Sequence, residues 1–377
     1  LAAFSAQAAL DNVSRICVFL LMLSILVVLH ELGHFIVARA NGVRVNDFAV
    51  GFGPTLLKWT SPRSGTNYRL NAFPLGGYCA MQGEDGKTSE AEQQRRYRDT
   101  HSSDGEDFQS KAPWRRLAIV AAGPVANFLV ALVILIVGAI GFGVASDHVS
   151  TSIGPLLADS PGVRAGLHVG DRIVSIDGVP VRDGQDMVAR IHASPGKPIA
   201  LVYERHGVSN AVTVTPMKRV VDGKTVGIIG FQTQLEYQRV GIASAVVYGW
   251  QFFADSVVKN LAGFGNLIVH PHTALSQVSG PIGMERISSQ VQDLGWGPYL
   301  QLAAMISIAL GIFNFLPIPA LDGGRGIFIL AEMLRGRPVD PEKEALVHVT
   351  GFALLMVLMV FVAYHDVATI VSGKGAL

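Results

Sequence analysis

"VVLHELGHFIVARA", residues 27–40, places two histidines, a glutamate and an arginine at the end of a run that is otherwise apolar. Residues 16–38 are long enough to cross the roughly 30 Å hydrocarbon core as a helix. His30 and His34 stand four positions apart, so a helix sets both on one face, close enough to share a metal ion, with Glu31 beside them. This is the HExxH pattern: two neutral imidazoles bind a divalent metal, usually zinc, the metal acidifies water, and the glutamate takes the proton as that water attacks a carbonyl. A polar face for helix packing is the plainer reading. Ionisable groups at membrane depth are costly unless paired, however, so His30, Glu31 and His34 together point to chemistry. Gly33 is unfavourable in a helix interior and is expected to admit another backbone at close range.

The rest of the chain suits a membrane protein. Half of its 377 residues are hydrophobic, 16% are charged and the formal net charge is +1, which excludes a disordered or nucleic-acid-binding polymer. Runs at 117–144, 299–316 and 346–362 or a little beyond bring the expected spans to four. A cleaved signal peptide is disfavoured for the first run, which keeps ionisable residues and is followed by no small-residue cleavage site. Cys17 and Cys79 suggest neither a disulfide framework nor a thiolate metal site. Arg39, Arg44, Lys111, Arg115 and Arg116 flank the first connection, and Arg325, Arg335, Arg337 and Lys343 the third, so both are expected to be cytoplasmic.

Two histidines leave a catalytic zinc one protein ligand short. "GIFNFLPIPALDGGR", residues 311–325, ends the third run with helix-breaking Pro317 and Pro319 and presents Asp322 in a glycine-flanked turn. Alone, LDGG is only a turn. Its position, at the same membrane side as the histidines, makes Asp322 the candidate third ligand.

HELGH in the first span, "GPVAN" (123–127) in the second, a PDZ-like segment and NxxPxPxLDGG near the third together resemble the bacterial site-2 protease family, the regulated intramembrane zinc proteases of the sigma-factor stress-response type. The resemblance covers nearly the whole chain. It implies one Zn2+ ion held by His30, His34 and Asp322, with Glu31 as general base. It implies substrate binding at Asn314, Pro317 and Pro319, and matches Asn127 to the family's second-span asparagine, although a plain interhelical hydrogen bond is the favoured reading of that residue. The implied fold is a multi-pass α-helical membrane protein with four transmembrane helices, a membrane-associated β-hairpin region and an inserted α+β PDZ-like domain. The implied activity is cleavage of transmembrane segments of single-pass regulators, such as an anti-sigma factor already cut by another protease. The partners are then that substrate and the lipid bilayer, without nucleic acid. The expected location is the bacterial inner membrane, with both termini and the PDZ-like domain outward and the active site toward the cytoplasmic leaflet. A non-catalytic PDZ-containing scaffold would not need HELGH together with LDGG, and a metal transporter would be expected to show an inverted repeat, of which there is no sign.

In chain order the expected parts are an outward segment (1–14), a first span (15–40), a cytoplasmic loop with the β-hairpin region (41–113), a second span (114–146) and the PDZ-like domain (147–218). An outward linker with an amphipathic interfacial helix (219–297), a third span with the LDGG turn (298–322), a cytoplasmic loop (323–345) and a fourth span (346–372) follow. The hairpin either pairs an open edge with unwound substrate or merely covers the site. Residues 86–111 read as a mobile loop. Within the PDZ-like part a small helix is expected at 164–167, a helix at "DMVARIHA" and a hairpin at "IALVYERHGVSNAVTVTP", with one such unit where relatives often carry two. Trp250, Phe252 and Phe253 suit an interfacial helix or one packed on the PDZ-like domain. "SGPIG" (279–283) matches a family loop, while His192, His206, His270 and His272 read as surface residues. "TSIGPLL" (151–157) announces no carboxylate nest, so exclusion of bulky proteins is favoured over capture of a new carboxy terminus.

Overall fold

The computed structural model describes residues 6–84, 106–157, 159–221, 224–269, 280–337 and 339–371; His270, His272, Ser279 and most of the 86–111 loop lie outside them. The chain begins with α1 (Ala6–Ala40), β1 (Val45–Thr60), β2 (Asn67–Met81), a short 3-10 turn (Phe108–Ser110) and α2 (Pro113–Phe142). There follow β3 (Val144–Leu156), α3 (Pro161–Arg164), β4 (Arg172–Ile176), β5 (Val179–Pro180), α4 (Gly184–His192), β6 (Ile199–Arg205) and β7 (Val208–Val214). Then come β8 (Met217–Val221), β9 (Lys224–Ile228), β10 (Phe231–Gln238), α5 (Ile242–Val269), α6 (Pro281–Gln292), α7 (Trp296–Phe315), α8 (Asp322–Arg335) and α9 (Pro341–Val371). The structure divides into two units: Leu1–Ile136, Gly249–Gln290 and Leu300–Leu377 form the first, Val137–Tyr248 and Val291–Tyr299 the second.

Among the described residues, four helices are long and apolar enough to cross a membrane: Leu10–Ala40, Pro113–Phe142, Trp296–Phe315 and Lys343–Ala368. In the first unit, Leu21, Ile25 and Ile36 on α1, Leu129 and Val133 on α2, and Leu354, Val357 and Val360 on α9 are exposed, an apolar surface of the kind that lipid covers. The third connection was expected to be a loop at 323–345 but holds α8, whose small residues and polar first turn hide its apolar face; Gly336, at φ +67°, ends it in the left-handed conformation that glycine tolerates best.

β1 and β2 fold into more than a simple hairpin. Val45–Val50 pairs on one side with Gly77–Met81 and on the other with Asn67–Leu70, while Thr55–Thr60 pairs with Asn67–Asn71. The result is four short strands whose edges, Thr55–Thr60 and Gly77–Met81, are open among the described residues. Phe52, Leu56, Leu57, Trp59 and Phe73 are exposed on it, as expected of a sheet that enters lipid. Near the other end, Val43, Val45, Cys79 and Met81 are buried with Ala38 of α1, Ile119 and Val120 of α2 and Ile329 of α8.

The aromatic face of α5 has a partner that the sequence reading lacked. Phe252, Phe253, Val257 and Phe264 pack on Ala131 and Leu135 of α2 and on Ala304, Ile308 and Ile312 of α7, with Phe253 edge-to-face on Phe128 and Phe264 on Phe313. These side chains therefore turn to the helix bundle; Trp250 alone of the three expected aromatics is exposed.

In the second unit, the sheet runs β10-β3-β4-β6-β7 with β5 beside β4, around a core of Ile153, Leu167, Ile173, Met187, Ile199 and Leu201. Two boundaries are corrected. The expected second span ends at Phe142, because Gly143 (φ +89°) turns the chain and the apolar residues from Val144 onward serve a strand. The domain also does not close near Lys218: β10 pairs antiparallel with β3, Phe231 opposite Leu156 and Gln238 opposite Val144. The small helix is Pro161–Arg164, capped by the Ser160 hydroxyl and opened by a proline at its first position, one turn earlier than expected. The expected α4 and the β6–β7 hairpin are found. Asp171 is buried; desolvation alone would raise its pKa, but paired bonds from Arg205 and the His168 amide hold the carboxyl below its usual range. His192 and His206 are exposed.

Candidate metal centre

α1 carries His30 and His34 on the face turned to α2, and two glycines let that face close up. A Cβ on Gly33 would stand 2.4 Å from the Ala122 carbonyl oxygen, and one on Gly123 would stand 2.2 Å from His34 Nε2. Gly33 thus admits the neighbouring backbone, as expected, and Gly123 of GPVAN vacates the space that the imidazoles fill. α2 also holds both rings from behind: His34 Nδ1 lies 2.8 Å from the Ile119 carbonyl oxygen, and His30 Nδ1 lies 3.1 Å from the Asn127 amide nitrogen.

Asp322 arrives from the other side as the first residue of α8, where the helix dipole favours a carboxylate. Its approach is made by a tight link: Cβ atoms on Gly323 and Gly324 would meet the Leu316 and Ile318 carbonyl oxygens at 2.2 and 2.4 Å. Ala320 sits at φ +77°, and its N–H donates to His348 Nδ1 of α9 at 2.9 Å. Asp322 Oδ2 then lies 3.1 Å from His30 Nε2 and 3.4 Å from His34 Nε2, and the two Nε2 atoms are 3.2 Å apart.

These residues fit zinc. Ligand atoms about 2.0–2.1 Å from a tetrahedral zinc ion stand about 3.3 Å from one another, matching all three separations. Asp322 Oδ2 is buried without a hydrogen-bond partner, an orphan that a cation would satisfy. The Ile119 carbonyl can only accept, so the His34 proton sits on Nδ1 and Nε2 keeps its lone pair. At His30 the Asn127 amide presents its nitrogen while its Oδ1 is buried and unpartnered. Half a turn of that amide places Oδ1 on an Nδ1–H, pairs the orphan oxygen and gives His30 the same metal-ready tautomer.

Glu31 opens onto a cavity of about 260 Å³ with His34, Asp322, Tyr78, Cys79 and Met81. Glu84 and Arg325 form an ion pair across its lining, joining the end of β2 to α8. Glu31 reaches the open edge of the sheet: a Cβ on Gly77 would be 3.7 Å from its Cγ. The structure does not bring every expected residue here. Asn314 donates to the Leu310 carbonyl of its own helix, Pro317 is exposed, and Pro319 packs against Gly351 of α9. His348, Gly351 and the Glu84–Arg325 pair were missed, since each acts through a contact between segments far apart in sequence.

The profile of peptidase family M50 matches residues 18–358. The chain belongs to peptidase family M50. A protein of Rhizobium meliloti (strain 1021) that bears a provisional zinc metalloprotease name is 36% identical, over 95% of this chain and 98% of its own. The zinc metalloprotease RasP of Geobacillus kaustophilus is 31% identical over 95% and 98%, and the regulator of sigma-W protease RasP of Bacillus subtilis is 31% identical over 94% and 98%. Among solved structures, the PDZ domain of the SdrC-like protein from Listeria monocytogenes matches with 24% identity over 24% of this chain and 90% of its own, at a TM-score of 0.20. This M50 peptidase is an integral membrane zinc metalloprotease of the site-2 protease type, and its cofactor is Zn2+.

Proposed function

We propose that this peptidase cuts the transmembrane segment of a single-pass regulatory protein, such as an anti-sigma factor already shortened by another protease, in the bacterial inner membrane. The observation that carries the reading is the convergence of His30, His34 and Asp322 at the ends of apolar helices, with Glu31 between that cluster and an open strand edge. The name of the Bacillus subtilis relative supports a link to sigma-factor regulation.

His30, His34 and Asp322 hold the metal, and Asn127 and the Ile119 carbonyl orient the two imidazoles. Bound there, zinc supplies Lewis acidity that makes water nucleophilic at neutral pH. Glu31 accepts the proton of the attacking water and passes it to the departing amide nitrogen. A helical carbonyl is hydrogen-bonded within its own helix and hidden, so the substrate must unwind first. The Gly77–Met81 edge, paired only with Val45–Val50 among the described residues, receives the unwound segment as an added strand and lays it along Glu31. Asn314, Pro317 and Pro319 shape the approach to the LDGG turn. The basic residues of the first and third connections support a site toward the cytoplasmic leaflet, with the PDZ-like domain and both termini outward.

For the PDZ-like domain a specific observation favours capture over exclusion. A groove of about 380 Å³ lies between Val188, Ile191 and His192 of α4 and the Gly227–Phe231 segment leading into β10. Gly230 of that segment accepts from the Leu157 amide of "TSIGPLL" at 2.8 Å, so the groove opens beside this stretch, and β10 is an edge strand. The test of the whole reading is reconstitution of the purified enzyme in liposomes with a pre-cut single-pass substrate and mass mapping of the products. Cleavage within the apolar segment is expected; cleavage only in soluble flanks would overturn it.

A further inference from the structure

A second cavity, of about 480 Å³, opens at the carboxy-terminal end of α1, lined by Arg39, Arg44, Arg63, Ser64 and Glu106 among others. Arg39 belongs to the last turn of α1, Arg44 follows that helix, and Arg63 sits in the turn joining β1 to β2. Two glycines show where the cations point. A Cβ on Gly42 would meet Lys111 Nζ at 3.2 Å, and one on Gly65 would meet the Arg44 guanidinium at 2.8 Å. Four cations from three stretches of chain thus surround one space, opposed by Glu106. Among the described residues no ion pair engages Arg39, Arg44, Arg63 or Lys111, although Asp47, Glu84 and Glu332 each have a basic partner. Gathered guanidinium groups repel one another and make a strong anion-attracting potential, with the planar forks that suit phosphate oxygens.

The surroundings identify the source of the anion. The strand that leads into Arg63 exposes Leu56, Leu57 and Trp59, and Trp114, with Arg115 stacked on it at 5.1 Å, is exposed where α2 begins. Exposed tryptophans beside basic residues mark the headgroup level of a bilayer. We propose that this cavity binds the phosphodiester headgroup of an acidic glycerophospholipid, whose acyl chains lie along the apolar strand. A soluble phosphate would use the same guanidinium groups but not that apolar flank. The bound headgroup bridges α1, the β1–β2 turn and the lead-in to α2.

The test is native mass spectrometry of the purified full chain in detergent, with phosphatidylglycerol or phosphatidylcholine added. Phosphatidylglycerol should be retained at least tenfold more tightly than phosphatidylcholine. Arg39→Gln/Arg44→Gln/Arg63→Gln should abolish that preference, Lys111→Gln should weaken it, and Arg335→Gln/Arg337→Gln, exposed at the end of α8 and just beyond it, should leave it intact. Zinc content and thermal midpoint in detergent without lipid report that each variant is folded. Equal retention of the two lipids, or unchanged preference in both the triple variant and Lys111→Gln, would overturn the proposal. Displacement of phosphatidylglycerol by equimolar glycerol 1-phosphate would overturn the lipid source in favour of a soluble phosphate.

Discussion

His348 of α9 accepts the Ala320 N–H at 2.9 Å and so fastens the turn that delivers Asp322. Ala320 is at φ +77°, a conformation that costs a non-glycine residue about 1–2 kcal/mol, and the contact of Pro319 with Gly351 adds a second fastening on the same helix. His348→Leu is expected to weaken zinc binding about tenfold. His348→Asn, whose Oδ1 can take the place of Nδ1, should recover most of it. Chelator competition on purified protein checks both; equal affinities in the two variants would remove His348 from this role.

Asn127 offers a separate test of how the imidazoles are held. Asn127→Leu leaves His30 Nδ1 without its partner and should lower zinc affinity about 10–100-fold. Asn127→Asp keeps an acceptor for Nδ1–H and should stay near wild type. If the side chain only joined helices, metal-free thermal stability would fall in parallel with zinc affinity in Asn127→Leu. The expected result is a loss in affinity that exceeds any loss in that stability.

Gly123→Ala puts a methyl where His34 Nε2 lies, a 2.2 Å approach that no small shift accommodates. Zinc stoichiometry should drop sharply. Overpacking of this kind typically costs 1–3 kcal/mol, so the protein should remain folded with a lowered thermal midpoint. Alanine at Gly141, where nothing lies within 4 Å, is the matched control and should change neither quantity.

Most of the centre was readable from local pattern because its chemistry is written at short range. The four-residue spacing of His30 and His34 needs only a helix, and Asp322 announces itself through the glycines that its tight turn requires. The PDZ-like α4 and the β6–β7 hairpin follow from caps, alternation and turn residues in the same way. What was not readable depends on partners distant in the chain. The apolar tail of the second run looks like a continuing span until Gly143 turns it into β3, which is completed by β10 some 80 residues later. The aromatics of α5 fit lipid or protein equally well by composition, and only packing on Ala131 and Ile308 decides for protein. His348, read alone, is one histidine at the start of an apolar helix.

The groove in the PDZ-like domain separates capture from exclusion without deleting any strand of its sheet. Removal of residues 153–216 would take Ile153–Leu156 from β3, with the β10 pairings at Phe231 and Thr233, as well as β4, β6 and β7, and confuse the outcome. Val188→Arg, a half-buried position on the groove side of α4, should block the groove while the sheet stays intact. Capture predicts that cutting of a pre-shortened substrate falls at least tenfold while cutting of the full-length protein stays absent. Exclusion predicts an unchanged rate on the short substrate. The comparison is made in cells at matched enzyme levels, with zinc content measured on the purified variant.

The division of labour between Glu31 and the metal ligands is tested most directly by zinc content and cleavage measured together on Glu31→Gln, His34→Ala and Asp322→Asn. Glu31 is assigned to proton transfer and is not among the three residues that converge on one point. Glu31→Gln should therefore keep one zinc per chain and lose cleavage by at least about 10²–10⁴-fold. His34→Ala should lose both, and Asp322→Asn should bind zinc weakly because the charge that offsets the cation is gone. Equal zinc loss in Glu31→Gln and His34→Ala, or full cleavage by Asp322→Asn, would contradict the account.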